Sequence, residues 1–164
     1  MSQECILIDP LRFADEARSK AGRVPISALP RVAQSVLETE GELVFTLEGY
    51  RNQDGKRFLL LKASVELVLC CQRCLEPMSH SVLIDSRLWL VPKGQLIPDE
   101  ELDFDEFDAI EVDAQLDVLQ LLEDECLLTL PMAPRHLSCE GIRPKDGADA
   151  FSPFSGLAVL KKQH

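Results

Sequence analysis

Aromatic side chains are scarce in this chain, 5% of 164 residues, with one tryptophan, Trp89, and one tyrosine, Tyr50. A protein that binds single strands by stacking bases on a row of rings is therefore poorly supplied. Long apolar runs are also missing. The best, Phe58 to Leu61 and Leu67 to Cys71, fall far short of the ~20 residues a membrane helix requires. Bases are outnumbered, 17 against 28 acids for a net charge of −11, which argues against a generic binder that neutralises phosphates with surplus Lys and Arg. Only His80, His136 and His164 are available for imidazole acid–base work, and no glycine-rich phosphate loop, nucleophile elbow or metalloprotease helix motif is present. The opening MSQECILIDPLRF has no basic region followed by an apolar core and a cleavage site, which predicts a cytoplasmic protein. Its six cysteines are then expected as thiols or metal ligands rather than disulfides.

What is present is organised. Thirteen of the acids lie between Asp99 and Glu125 with no Lys or Arg among them, leaving 15 acids against all 17 bases elsewhere. The molecule reads as a nearly neutral body with one acidic segment. Its length and 46% apolar content suit a single domain, residues 1–164. A short strand is expected at Cys5 to Ile8, a helix over Pro10 to Lys20, and a second helix from Pro30 to Leu37. Leu43, Phe45 and Leu47 alternate with polar residues. After the turn Asn52 to Gly55, Leu59, Leu61, Ala63, Val65, Leu67 and Leu69 alternate again, which predicts a hairpin with one buried face. A third strand is expected from Ser81 to Val91.

Residues 92–108 read as an exposed acidic loop, followed by a short strand at Ala109 to Val112. Asp113 is placed to cap a helix ending by Leu130, ahead of Pro131 and Pro134. Residues 140–164 read as a loosely ordered tail. The fold class expected is α+β: an antiparallel β-sheet, mainly residues 43 to 91, packed by a C-terminal helix and short N-terminal helices. Closure of the sheet into a barrel is left open by the pattern.

The string Cys71-Gln72-Arg73-Cys74-Leu75-Glu76-Pro77 follows a long strand. Downstream come Asp117-Val118-Leu119-Gln120-Leu121-Leu122-Glu123-Asp124-Glu125, then Leu130-Pro131 with Pro134 and His136, then Ser152-Pro153-Phe154 ahead of Leu157 to Lys161. In this order they resemble the YceD-like family, described as large ribosomal RNA subunit accumulation proteins. The resemblance runs from about Leu43 to the C-terminus. It implies a bacterial cytoplasmic ribosome-biogenesis factor needed for synthesis, processing or stability of 23S rRNA, and it implies no known reaction. The partner expected is a large-subunit rRNA precursor or a basic large-subunit ribosomal protein, with no membrane or small-molecule substrate. The rival reading is an RNA-turnover enzyme, or a zinc- or thiol-dependent redox protein.

The two-residue gap between Cys71 and Cys74 lets one tight turn present two thiolates to a tetrahedral ion, and His136 with Cys139 offers a second pair. Together they are a candidate Zn2+ site of Cys3His type. The family pattern carries further thiols after this point, where the present chain has Gly141-Ile142-Arg143-Pro144, so only the four-ligand version is available. Two reduced turn cysteines near a surface histidine, or a redox dithiol, are the other readings. Cys70, Cys126 and Cys5 are expected to pack rather than ligate.

For a basic client, the acidic residues Asp103, Asp105, Glu106 and Asp108, together with Glu123, Asp124 and Glu125, are the candidate docking face, with Phe104 and Phe107 as apolar anchors. Ordinary packing of the two phenylalanines on the sheet is the competing reading. Arg73, between the two cysteines, suits an RNA phosphate, a partner carboxylate or an internal ion pair. Arg12, Arg18, Lys20, Arg23 and Arg31 are a further candidate phosphate-facing patch.

Overall fold

In the computed structural model, which describes residues 5–95, 107–139 and 141, the alternation of the central segment becomes the spine of an α+β fold. Strands β3 (Glu42–Arg51), β4 (Arg57–Cys70) and β5 (Pro77–Pro92) form an antiparallel meander. The β3–β4 turn closes through Asn52, whose backbone N–H donates to the Lys56 carbonyl while its side chain accepts from the Lys56 N–H, with Gly55 at φ +79°. Inward-facing Leu43, Phe45, Leu47, Leu59, Leu61, Val65, Leu67, Leu69, Val82, Ile84, Leu88 and Leu90 are buried as expected from their period of two.

The edges differ from the sequence expectation. The proposed helix over Pro10 to Lys20 stops early: α1 is Pro10–Asp15, and Ala17 then takes a left-handed φ of +48° that turns the chain back. The residues that follow form an unforeseen edge strand, β2 (Ser19–Pro25), antiparallel to β3. Its weak strand composition is overridden by pairing, and at Gly22 a Cβ would lie a tight 3.0 Å from the Phe45 ring. A 3-10 turn (Ile26–Ala28) leads into α2 (Pro30–Ser35), shorter than the Pro30 to Leu37 expected.

On the far side, β6 (Asp108–Val112) joins β5 in parallel, the one parallel pairing among the described residues. The order β2-β3-β4-β5-β6 leaves β2 and β6 as separate edges, so the sheet is open rather than a barrel. The final helix, α3 (Val118–Thr129), starts later than Asp113. Asp113 instead pairs with Lys93 at 3.0 Å, and Leu116–Asp117 form β7 against β1 (Leu7–Ile8). Asp117 is the cap, accepting from the Leu119 N–H at 2.9 Å, and the helix ends ahead of Pro131 as anticipated.

Helix α3 buries Val118, Leu121, Leu122 and Cys126 against the inward face of the sheet. Burial pushes the Cys126 thiol up to about 11, aided by the nearby Glu123 charge, so it stays a neutral packing group. On the opposite face Phe58, Trp89 and Val91 form a second small core with Tyr50, Phe107 and Ala109. Tyr50 stacks on Phe58 at 5.3 Å, and Phe107 meets Phe58 and Trp89 edge-on at 5.5 and 5.8 Å.

Gly49 of β3 is where α1 lies down on the sheet. A Cβ there would meet the Phe13 carbonyl oxygen at 2.6 Å and the Ala14 Cα at 2.8 Å, both backbone atoms that cannot rotate away. Gly49→Ala is therefore expected to destabilise the fold by about 1–3 kcal/mol, the usual cost of overpacking. Urea unfolding checks this, and an unchanged midpoint would show that α1 can be displaced freely.

Candidate metal centre

The β4–β5 hairpin reaches past the core and ends in a tight loop. The Cys71 N–H donates to the Glu76 carbonyl at 3.0 Å and the Leu75 N–H to the Cys71 carbonyl at 2.9 Å. Leu75 sits at φ +63°, a left-handed conformation that a leucine adopts only under constraint. The chain leaving α3 is stopped from further helix by Pro131 and Pro134 and returns over this loop. The Gln72 N–H donates to the Pro134 carbonyl at 2.8 Å, tying the two together.

Four side chains converge at that junction, two from the hairpin tip and two from the returning segment. Cys71 Sγ lies 3.8 Å from Cys139 Sγ, and Cys74 Sγ lies 3.3 Å from His136 Nδ1. The ligand atoms of Cys71, Cys74, His136 and Cys139 are all within 4.8 Å of one another, with Cys71 buried and the other three half-buried. A tetrahedral zinc with bonds of about 2.3 Å to sulfur and 2.0–2.1 Å to nitrogen has S···S and S···N edges of about 3.8 and 3.6 Å. The Cys71–Cys139 and Cys74–His136 pairs fall near these edges, the remaining pairs lie within 4.8 Å, and all the cysteines are free thiols.

The surroundings favour ligation. His136 Nε2 is 3.3 Å from the Pro77 carbonyl; donating its proton there leaves Nδ1 with a lone pair turned toward the cluster. At Cys71, burial opposes ionisation, but the backbone N–H groups of Cys74, His136 and Arg73 and the Cys74 thiol all donate to the sulfur. They outweigh burial and bring this thiol down to about 5. Cys139 moves the other way, raised by burial and by the neighbouring sulfurs of Cys71 and Cys74.

The remaining candidates are distributed differently. Arg73 is exposed on the loop, and a Cβ at Gly141 would touch its stem at 3.5 Å. Asp103, Phe104, Asp105 and Glu106 lie outside the described residues. Asp108 is exposed at the start of β6, while Phe107 packs in the aromatic cluster under it. The three helix acids have partners inside the fold. Glu123 accepts from the backbone N–H groups of Arg31 at 2.6 Å and Val32 at 3.3 Å, Asp124 pairs with the Arg31 guanidinium, and Glu125 accepts from the Ser86 hydroxyl. Of the proposed basic patch, Arg23 pairs with Glu42 and Arg31 with Asp124, away from the others. The supports at Pro77, Gln72 and Pro134 were not legible in sequence, because they act through backbone atoms that carry no residue signature.

An open, mostly antiparallel sheet whose longest hairpin closes a Cys3His cluster against the segment after α3 defines a small α+β fold with a candidate metal site. The chain belongs to the YceD family: the family described as Large ribosomal RNA subunit accumulation protein YceD matches residues 59–161, from β4 through the cluster and beyond. It is also 28% identical to the Large ribosomal RNA subunit accumulation protein YceD of Haemophilus influenzae, across 96% of each chain. No solved structure matches.

Titration of the reduced protein with cobalt(II), a spectroscopic stand-in for zinc, is expected to give one equivalent per chain with tetrahedral cobalt–thiolate absorption. Cys71→Ser and Cys139→Ser should each weaken binding by more than the roughly 10–100-fold that loss of an outer hydrogen-bond partner costs. Cys126→Ser should leave it unchanged, and equal binding by all three variants would reject the centre.

Proposed function

We propose that the protein is a ribosome-biogenesis factor required for synthesis, processing or stability of 23S rRNA, acting by binding and not by catalysis. The observation that carries this reading is the end-to-end similarity to a relative named for large ribosomal RNA subunit accumulation, together with the family match through the hairpin, the cluster and α3. Its client is a large-subunit rRNA precursor or a basic large-subunit ribosomal protein. Among the described residues no helix is long and apolar enough to cross a membrane.

Cys71, Cys74, His136 and Cys139 would hold zinc as a structural ion. When bound, the metal supplies a cross-link between the hairpin tip and the segment following α3, closing all four positions to water. The chain's own contribution is to present Arg73 on a fixed loop. The surplus charge of the segment between Asp99 and Glu125 supports a cationic client. With the helix acids engaged internally, that attraction falls to Asp103, Asp105, Glu106 and Asp108, with Phe104 beside them.

Depletion of the protein in its host is expected to lower mature 23S rRNA several-fold relative to 16S rRNA, and affinity purification should recover a large-subunit precursor particle or protein in stoichiometric amount. Northern analysis and the pull-down check the two halves. Unchanged 23S levels would contradict the reading, as would RNA cleavage by the purified protein that disappears with substitution of one side chain.

A further inference from the structure

The corner where β1, α1 and β2 meet holds a cavity of about 310 Å³ lined by Leu7, Ile8, Asp9, Arg12, Phe13, Arg18, Ser19 and Lys20. Its size sits at the lower end of the range for small-molecule sites, room for one nucleotide unit rather than a duplex. The walls are of two kinds. Leu7, Ile8 and Phe13 give an apolar floor, with Leu7 52% exposed, while Arg12, Arg18 and Lys20 give a cationic rim.

The local charge is positive although the whole chain is at −11. Asp9 uses its carboxylate on the Arg12 N–H at 3.0 Å, capping α1. Glu16 is shared between Arg12 at 2.6 Å and Arg18 at 3.9 Å, both exposed pairs of the kind that contributes little and opens readily. Asp15, the third acid of α1 and its approach, is held by Arg51 and Arg57 at 3.4 and 2.8 Å. Lys20 has no ion pair among the described residues.

Arg18 adds a specific geometry. Its guanidinium lies over the Phe13 ring, 5.9 Å from the centroid, and its side chain is 61% exposed. The ring holds the guanidinium from one side at cation–π range, and most of the side chain is open to solvent. An unstacked base lies well on such a plane, and a phosphate is taken by the same fork.

We propose that this corner is a single-stranded RNA site, in which Arg12, Arg18 and Lys20 take a backbone phosphate and the neighbouring base lies on the exposed Arg18 guanidinium above the apolar floor. The proposal rests on the reading that the chain serves large-subunit RNA, and it places the RNA contact at the edge of the sheet, apart from the acidic segment. An acidic peptide would satisfy the three cations but would leave the apolar floor of Leu7, Ile8 and Phe13 unused.

The test is fluorescence anisotropy with a short labelled single-stranded RNA of mixed sequence, with its duplex and polyglutamate as competitors. Wild type should bind with a salt dependence of about 0.7 in log–log slope per phosphate contact, and Lys20→Glu and Arg18→Glu should each weaken binding by about tenfold and flatten that slope. Arg18→Lys should lose affinity with the slope retained, since it keeps the charge and loses the plane. Wild-type affinity in the two Glu variants would overturn the site, as would displacement of the RNA by polyglutamate as effectively as by unlabelled RNA. Lys20→Glu removes an exposed side chain with no ion-pair partner, so its fold is not at stake.

Two further outcomes separate this site from the proposed function. Full restoration of 23S rRNA in depleted cells by Lys20→Glu would overturn the site and leave the biogenesis reading standing. Unchanged 23S on depletion, together with RNA binding lost in Lys20→Glu, would overturn the biogenesis reading and support the site.

Discussion

The long antiparallel ladder between β4 and β5, continuous from Phe58 opposite Trp89 to Cys70 opposite Pro77, is the constraint on which the rest depends. Its inward aliphatic side chains, each contributing about 1.5–3 kcal/mol when fully buried, offset the entropy of ordering two strands this long. The same ladder fixes register, and register fixes which sulfur faces where. Cys70 is the last residue of β4 and turns its thiol toward the Leu75 carbonyl at 3.7 Å, whereas Cys71 is fully buried at the cluster. A slip of one residue would exchange their positions and dismantle the Cys71–Cys74 pair as a chelating unit. The left-handed Leu75 is held by the closed loop that this register imposes.

Helix α3 is positioned by a second set of constraints, polar this time. Glu123 is buried, and its carboxylate caps two otherwise unpartnered amides at the start of α2, so the two helices are fixed to each other as well as to the sheet. Asp124 and Glu125 extend the attachment to Arg31 and Ser86. The helix therefore delivers the 131–139 segment to the hairpin tip from a fixed direction. Each of these acids makes a contact within the fold. In the proposed mode of action, attraction of a cationic client and contact with RNA belong to different ends of the molecule, which lets a charge of −11 coexist with a basic corner.

Much of this was legible in the sequence, and the parts that were not share a cause. The meander could be read because an apolar residue recurs at every second position from Leu59 to Leu69 and, apart from Ser86, from Val82 to Leu90, a signal that burial on one face imposes locally. Strand β2 could not, because Ser19-Lys20-Ala21-Gly22 acquires its state from pairing with β3 rather than from its own composition. The start of α3 was misplaced by four residues for a similar reason: Asp113 and Asp117 are equally good caps, and only pairing of Leu116–Asp117 with Leu7–Ile8 decides between them. Open sheet against barrel was equally a tertiary question. The four cluster residues could be nominated from spacing, but their convergence rests on Pro134, Pro77 and Gln72 acting through backbone atoms. Three of the five bases suggested as a patch do meet, at a corner whose existence depends on β2.

The Cys71, Cys74, His136 and Cys139 cluster is where the hairpin and the segment after α3 meet, so the direct measurement is X-ray absorption spectroscopy at the zinc edge on protein loaded with one equivalent. Three sulfur scatterers at about 2.3 Å and one nitrogen at about 2.0–2.1 Å are expected, from Cys71, Cys74, Cys139 and His136. A shell of nitrogen and oxygen alone, or only two sulfurs, would contradict a single centre closed between the hairpin tip and the segment after α3.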